Sequence, residues 1–373
     1  MLLQAAKGRW EGTPLTFREA VAVRVQSSLL SPERFQKNMQ RFTNEKLGAT
    51  LERLRGEGRM ELEREGDLAA LVSELFSEPL QGKPSMPYTH RHSAQVSDLL
   101  YVLLSELLQD GVALSLLSSP RAQAKLAGHA HDSGKAFLRR GLLGIGEKMP
   151  VRLFGIPVWH GRLATPIEKE LIQHGHLDAG LRFLSALSFP DRSIALKLVG
   201  CHHINFDGYN HPKSSSYPEG KAGKDLSIEE RAMKLCDMVS AVLPRFYRKK
   251  NTVHTLEESL VITLEVAGRE VDPFLLPYLL RGIYSMPLPA GRELVEYALD
   301  MQTPRETLHT FRHLRSEISH HPLSREYIRR ERRTRLEAYQ RELLDGTGSS
   351  VDRDLARASI IHTAYSSVRA EFP

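Results

Sequence analysis

The chain has 373 residues, of which 41% are hydrophobic and 26% are charged. These are the proportions of a globular protein, so a largely disordered chain is excluded, and the length suits two or three domains with cores of their own. There are 51 basic and 45 acidic residues, and this net charge of +6 is too small to indicate a nucleic-acid partner.

Two cysteines, Cys201 and Cys236, are too few for a disulfide scaffold and fit a reducing compartment. No apolar run reaches the roughly 18–20 residues that a membrane span needs, and the first residues lack the apolar core of a signal peptide. We therefore expect a cytoplasmic protein with no membrane partner.

Hydrophobic spacing is helical along nearly the whole chain, which predicts an all-α fold. Stretches rich in glycine and proline at 81–87 and 286–291 divide it into three regions. Residues 1–85 are predicted to form a helical region that regulates the protein or makes a homodimer. Residues 86–285 are predicted to form a central helical bundle, and residues 286–373 are predicted to form a basic helical extension. Its arginine-rich stretch, 324–344, also carries glutamates, which favours a solvated face over a nucleic-acid or acidic-partner site.

Histidines are the most informative residues, because there are 16 of them and many stand in close pairs. Imidazole is the commonest metal ligand in proteins. His92 lies one turn before Val96, where an amphipathic helix rich in leucine begins, so it faces inward. Taken as a single residue, it fits a core histidine that bonds a carbonyl group better than a metal ligand.

The segment His131-Asp132-Ser133-Gly134-Lys135 carries a stronger signal. An adjacent histidine and aspartate can supply nitrogen and oxygen to neighbouring metals, and a carboxylate can bridge two ions. Gly134 permits close approach of a backbone or substrate. Lys135 lies one turn after His131, within reach of a phosphate oxygen.

Three further segments offer inward ligands. His176 shares a helical face with Ala179 and Gly180, whose small side chains suit close helix packing. His202 and His203 follow the end of a helix, where adjacent histidines can reach one site. Asp237 is the single carboxylate of an apolar helical run, so it needs a partner, either a metal ion or a buried cation.

This supply of nitrogen and oxygen ligands exceeds what one tetrahedral ion needs. Two divalent metal ions are therefore predicted, iron or manganese, with zinc as the alternative. Paired ions of this kind activate water and bind phosphoryl oxygens.

In this order, the motifs resemble those of the HD superfamily of metal-dependent phosphohydrolases, and more closely those of its HD-GYP branch. His131–Lys135 matches HDxGK, and His176–Gly180 is similar to HxxxG. Phe206-Asp207-Gly208 stands for WDG, and Tyr217–Gly223 matches YPxGxxG. Val266–Phe274 looks like the closing AGxxFDP, so the resemblance covers roughly residues 86–285.

The chain departs from the pattern at three places. Ser216-Tyr217-Pro218 replaces GYP and loses its glycine, while a rival register would place the tripeptide at Asn210-His211-Pro212. Ile204 replaces the acid of the HHE motif. Tyr88 stands where some members carry a glutamate for a third metal, which implies a two-metal site.

The resemblance implies hydrolysis of cyclic di-GMP, a bacterial second messenger, by a hydroxide that bridges the two ions. Asp132 would orient that hydroxide, and Lys135 would offset charge on the phosphate oxygens. The implied metal ligands are His92, His131, Asp132, His176, His202, His203 and Asp237. The implied substrate contacts are Lys135, Asp207, Tyr217 and Pro218. Two alternatives stay open: a phosphohydrolase for another nucleotide or phosphate ester, and a non-catalytic module that binds cyclic di-GMP or a partner protein.

Overall fold

The structure is a computed structural model, and it describes a defined part of the chain. The described residues are 15–16, 26, 30–77, 79–80, 83–84, 87–114, 120–139, 142, 150–153, 156–159, 167–168, 171–208, 222–242, 246–247, 252–253 and 256–300. Both registers of the GYP tripeptide and the arginine-rich stretch lie outside these residues.

Helices account for most of the described residues, which confirms the all-α prediction. They are α1 (Pro32–Gly56), α2 (Glu65–Ser77), α3 (Pro87–Gln109), α4 (Pro120–Ala130), α5 (His176–Ala186), α6 (Arg192–Cys201), α7 (Ile228–Val242), α8 (Leu256–Glu265), α9 (Leu276–Tyr284) and α10 (Leu288–Asp300). Two short irregular helices matter for the site: a 3₁₀ helix at Ser133–Phe137 and a π-helical turn at Leu171–Gly175.

Short strands accompany the helices and were not predicted. They are β1 (Leu15–Thr16), β2 (Pro79–Leu80), β3 (Lys83–Pro84), β4 (Pro150–Leu153), β5 (Ile156–Trp159), β6 (Phe246–Tyr247) and β7 (Thr252–Val253). β4 pairs with β5 antiparallel, with Val151 opposite Val158, and β1 joins β4 in parallel. β2 and β3 pair antiparallel, and β3 lies within the stretch 81–87 that was predicted to separate two regions.

The described residues divide into two compact units. The first comprises those within Met1–Ala94 and Lys125–Cys201, and the second comprises those within Gln95–Ala124 and His202–Asn210 and those from Gly220 onward. This division follows spatial contacts and leaves the three regions predicted from the sequence untested.

Helix α1 begins and ends where the local sequence dictates. The hydroxyl of Ser31 accepts a hydrogen bond from the Arg34 N–H, and Pro32 occupies the first turn, where its missing N–H costs nothing. Beyond its end, Gly58 has a φ of +71°, a conformation that glycine adopts without strain. The buried face of α1 includes Phe35, Met39, Leu47 and Leu54.

The first unit joins the N-terminal helices to residues far along the chain. The Leu62 N–H donates to the Ser188 carbonyl, and the Ser188 N–H donates to the Met60 carbonyl, both at 2.8 Å. Helix α1 packs against α5 and against the 3₁₀ helix, and α2 also packs against the 3₁₀ helix. Helices α1 and α2 are therefore built into this unit.

Two glycines let the 3₁₀ helix lie directly against α5. A Cβ atom on Gly134 would stand 1.7 Å from the His176 carbonyl oxygen and 2.5 Å from the Gly180 nitrogen. A Cβ atom on Gly180 would stand 3.1 Å from the Gly134 nitrogen. The close packing predicted for Gly134 and Gly180 is thus present, and it brings the backbone after Asp132 against the backbone of His176.

In the second unit, three of the matched motif segments meet. The N–H groups of Phe206 and Asp207 donate to the carbonyls of Glu270 and Arg269, at 3.2 and 2.9 Å. The Gly223 N–H donates to the Asn205 carbonyl at 2.9 Å.

Two further contacts fix the helices of the second unit. Ser227 and Glu230 cap the start of α7 reciprocally, since each side chain accepts from the other residue's N–H. Arg281 of α9 donates to both the carboxylate and the main-chain carbonyl of Glu106, at 2.7 Å each. Among the described residues, no helix combines the length and the apolar character that a membrane crossing requires.

We expect Gly134→Ala to destabilise the protein by at least about 2 kcal/mol, because the new methyl group would overlap main-chain atoms that cannot rotate away. Urea denaturation followed by circular dichroism measures the free energy of unfolding. The matched control is Gly48→Ala on the exposed face of α1, where a Cβ has nothing within 4 Å. That change should leave stability equal or raise it by about 0.5–1 kcal/mol. Equal effects of the two substitutions would contradict the packing described.

Candidate metal centre

Asp132 lies at the centre of a buried polar cluster in the first unit. It lies two residues after the end of α4 and directly before the 3₁₀ helix, and only 2% of its surface is exposed. Its Oδ2 lies 3.5 Å from the Nε2 atoms of both His92 and His131, and its Oδ1 lies 3.3 Å from the Nε2 of His176. The two carboxylate oxygens therefore face different histidines, as a carboxylate that bridges two ions must do.

A backbone carbonyl holds the ring of His131 in one orientation. Its Nδ1 lies 2.7 Å from the Gly128 carbonyl oxygen, so the ring donates from Nδ1 and carries its lone pair on Nε2. That Nε2 lies 3.2 Å from the Nε2 of His92. A carbonyl behind the ring is the usual way in which proteins fix a metal-binding histidine.

His176 is held in the same way. Its Nδ1 donates to the carbonyl of Ile172, which belongs to the π-helical turn directly before α5. Burial lowers the pKa of His176 to about 4, although the neighbouring Asp132 carboxylate works in the other direction. The ring is therefore neutral at pH 7, and its Nε2 can bind a metal.

The carboxyl group of Asp132 is ionised despite its burial. Burial by itself raises the pKa of Asp132, but the Lys135 ammonium, helped by the neighbouring imidazoles in their protonated forms, outweighs it and holds that pKa well below its usual range. The Lys135 Nζ donates to Oδ2 at 2.6 Å. The cluster is thus an anion surrounded by ring nitrogens, an arrangement that a divalent cation completes.

The residues present fit a divalent metal ion. One ligand atom from each of His92, His131 and Asp132 lies within 4.8 Å of the other two. Ligands of one ion with bonds of about 2.1 Å stand roughly 3.0–3.4 Å apart, and the separations among these atoms are 3.2 and 3.5 Å. Nitrogen and oxygen donors without a thiolate suit iron, manganese or zinc.

The other predicted ligands lie in the second unit. His202 and His203 directly follow α6, and their ring centroids are 4.0 Å apart. Asp237 is buried on α7 among apolar neighbours such as Met233 and Val239. The structure thus brings His92, His131, Asp132, Lys135 and His176 together, and the metal-binding role of the second-unit residues stays a prediction.

The predicted substrate contacts are only partly described. Asp207 is exposed in the turn that ends at Gly208, whose φ of +80° explains the glycine. Tyr217 and Pro218 lie outside the described residues. Ile204, which replaces an acid of the family motif, is buried, with 1% of its surface exposed, so an apolar side chain suits that position.

Sequence reasoning missed the groups that orient the histidines. The carbonyls of Gly128 and Ile172 carry no signal in residue type, because every residue has a carbonyl. His129, two residues before His131, is a further partly buried histidine to which the sequence assigned no role. Burial lowers the pKa of His129 to about 4, and the positive charge of His90 adds to this effect.

The comparison with known families agrees with this geometry. Residues 89–242 match the HD domain. This span contains every metal ligand predicted from the sequence, from His92 to Asp237. No curated protein matches the chain. The HD domain and its buried histidine–aspartate cluster support a metal-dependent phosphohydrolase. The match supports the HD superfamily and does not distinguish its HD-GYP branch.

We expect Asp132→Asn to weaken Mn²⁺ binding by at least about 100-fold, since it removes the only anionic ligand of the first-unit cluster and leaves the Lys135 ammonium unneutralised. Isothermal titration of the metal-stripped protein measures the affinity. Asp178→Asn, which removes an exposed carboxylate from the first turn of α5, is the control and should bind like the wild type. Tight Mn²⁺ binding by Asp132→Asn would place the metal site elsewhere.

Proposed function

We propose that the protein is a metal-dependent phosphodiesterase that hydrolyses cyclic di-GMP. The observation that carries the proposal is the buried, ionised Asp132 whose two oxygens face separate histidines. An ionised carboxylate is costly to bury, and holding metal ions is the function that best accounts for one placed among imidazoles in an HD domain.

The cluster residues would hold the metal and keep its ligands oriented. His131 and His176 present lone pairs on Nε2 because backbone carbonyls occupy their Nδ1 atoms. We assign His202, His203 and Asp237 the role of further ligands in a two-metal site. Metal ions bound there would supply the activation of water and the polarisation of a phosphoryl oxygen.

Lys135 supplies a fixed positive charge at the edge of the cluster. Its side chain is 19% exposed, and its ammonium is held 2.6 Å from Asp132. An ammonium in a partly buried position is stronger electrostatically than one in water. We assign it the role of offsetting the negative charge that grows on the phosphate oxygens during cleavage.

The choice of cyclic di-GMP rests on the resemblance to the HD-GYP branch. In the second unit, the segment that matches WDG is hydrogen-bonded to the one that matches AGxxFDP, and Gly223 at the end of YPxGxxG donates to Asn205, the residue directly before WDG. That junction supports matching them as one set. The changed tripeptide at Ser216 favours, as the second candidate, an HD phosphohydrolase that takes another nucleotide or phosphate ester.

The substrate class is tested by incubating the protein, reconstituted in turn with Fe²⁺, Mn²⁺ and Zn²⁺, with cyclic di-GMP. We expect the linear dinucleotide or GMP as product, with turnover lost in Asp132→Ala and after chelation. Chromatography of the products distinguishes the two. A panel of other nucleotides and phosphate esters runs in parallel. If only one of these other compounds is hydrolysed, that compound is the substrate in place of cyclic di-GMP. Tight binding of cyclic di-GMP without product would indicate a signalling module.

We expect Lys135→Met to lower kcat by about 10²–10³-fold, since it removes a preorganised charge at the reacting phosphate. Metal content should be unchanged, because an ammonium is not a ligand. Steady-state kinetics and metal analysis are measured together. Lys197→Met on the exposed side of α6 is the control and should leave both unchanged. A Lys135→Met enzyme with the wild-type kcat would remove this residue from the proposed mechanism.

A further inference from the structure

Helix α1 lies outside the residues that match the HD domain, yet it contacts the segment that carries Asp132 and Lys135. The Lys46 Nζ donates a hydrogen bond of 2.5 Å to the carbonyl oxygen of Ala136. Ala136 belongs to the 3₁₀ helix that starts directly after Asp132 and includes Lys135. This contact joins residues that are 90 positions apart in the sequence.

Neighbouring residues of α1 add contacts on either side of Lys46. The ring of Phe42, one turn earlier, has the Arg139 guanidinium 4.9 Å from its centroid, and Arg139 follows the 3₁₀ helix closely. The Asn44 side chain accepts a hydrogen bond of 2.7 Å from Arg182 of α5, the helix that begins with His176. One short segment of α1 thus holds both the 3₁₀ helix and α5.

The bond from Lys46 has a specific effect on such a short helix. The last carbonyls of a helix lack partners within it, and a lysine ammonium there satisfies one of them and complements the negative end of the helix. The 3₁₀ helix Ser133–Phe137 has only five residues, fewer than two turns, so the carbonyl groups at its C-terminal end are close to its first residue. Its C-terminal side is also fixed by Phe137, which is buried and lies 5.2 Å from the Phe183 ring.

We propose that Lys46 is a positioning residue. It fixes the position and orientation of the 3₁₀ helix and thereby places Asp132 and Lys135 at the metal centre. Helix α1 is coupled to metal binding through this contact. The inference rests on the proposed metal site and adds to it an element outside the HD domain. A change in α1 that breaks the Lys46 bond weakens metal binding without touching a ligand.

The test uses Co²⁺, whose visible absorption reports both affinity and coordination geometry. We expect Lys46→Met to bind Co²⁺ about three- to tenfold more weakly with an altered spectrum. This is less than the 10–100-fold typical of groups that contact the ligands directly, because Lys46 acts one step further out. Lys46→Arg, which keeps a donor, should restore most of the affinity. Lys37→Met, at an exposed position of α1, is the matched control and should behave as the wild type.

A residue that only stabilised the fold would lower the melting temperature and leave the Co²⁺ affinity and spectrum of the folded protein unchanged. That result for Lys46→Met overturns the inference and leaves the phosphodiesterase proposal standing. A wild-type protein that binds no Co²⁺, Mn²⁺, Fe²⁺ or Zn²⁺ overturns both.

A second measurement needs only the wild-type chain and decides the matter even if Lys46→Met does not fold. Because coupling between two sites is reciprocal, metal binding should stabilise the α1 contact. We expect hydrogen exchange in residues 42–50 to slow at least twofold when Mn²⁺ is added, alongside residues 131–138. Protection confined to the metal-binding segments would overturn the coupling.

Discussion

The structure of the first unit depends on the burial of one charged carboxylate. Moving an ion out of water costs several kcal/mol even after a protein relaxes around it, and Asp132 is almost fully buried. In the structure the Lys135 ammonium, which donates to Oδ2 at 2.6 Å, offsets part of this cost. A divalent cation bound between the carboxylate and the ring nitrogens of His131 and His176 would offset the rest. The lysine and the three rings must all be held in fixed positions around the carboxylate, so the backbone that carries them has little freedom.

That constraint explains features which otherwise look unrelated. Gly134 and Gly180 lack side chains because the segment after Asp132 must touch the start of α5 to bring His176 to the carboxylate. The π-helical turn before α5 places the Ile172 carbonyl behind the His176 ring, and such turns occur frequently at functional sites. Packing, helix irregularity and ring orientation all serve one anionic centre.

Much of this site was predictable from residue type and spacing. His92 and His176 were predicted to face inward from the 3.6-residue period. His131 and Asp132 were singled out because an adjacent histidine and aspartate can supply ligands to neighbouring metal ions. Close approach at Gly134 and close helix packing at Gly180 were each predicted, but that these two glycines contact each other is seen only in the structure. Backbone acceptors such as the Gly128 carbonyl were not predictable, because they depend on local geometry and not on side chains. The β4–β5 hairpin was missed because a strand of four residues is too short for alternation to be distinguished from chance.

Contacts between residues far apart in the chain could not be predicted from the sequence either. The N-terminal helices were expected to form an attached regulatory or dimerising region, since nothing in their sequence indicates what they pack against. In the structure, α1 and α2 belong to the same unit as the metal cluster, and the Met60–Leu62 segment pairs with Ser188 beyond α5. A helix built into the same unit as a metal centre can control it without a separate domain, because any displacement of that helix moves the groups it holds. Control by α1 and the geometry of the metal ligands are therefore questions about the same packed unit. In it, Lys46 of α1 and Asp132 are linked through the short 3₁₀ helix that follows Asp132.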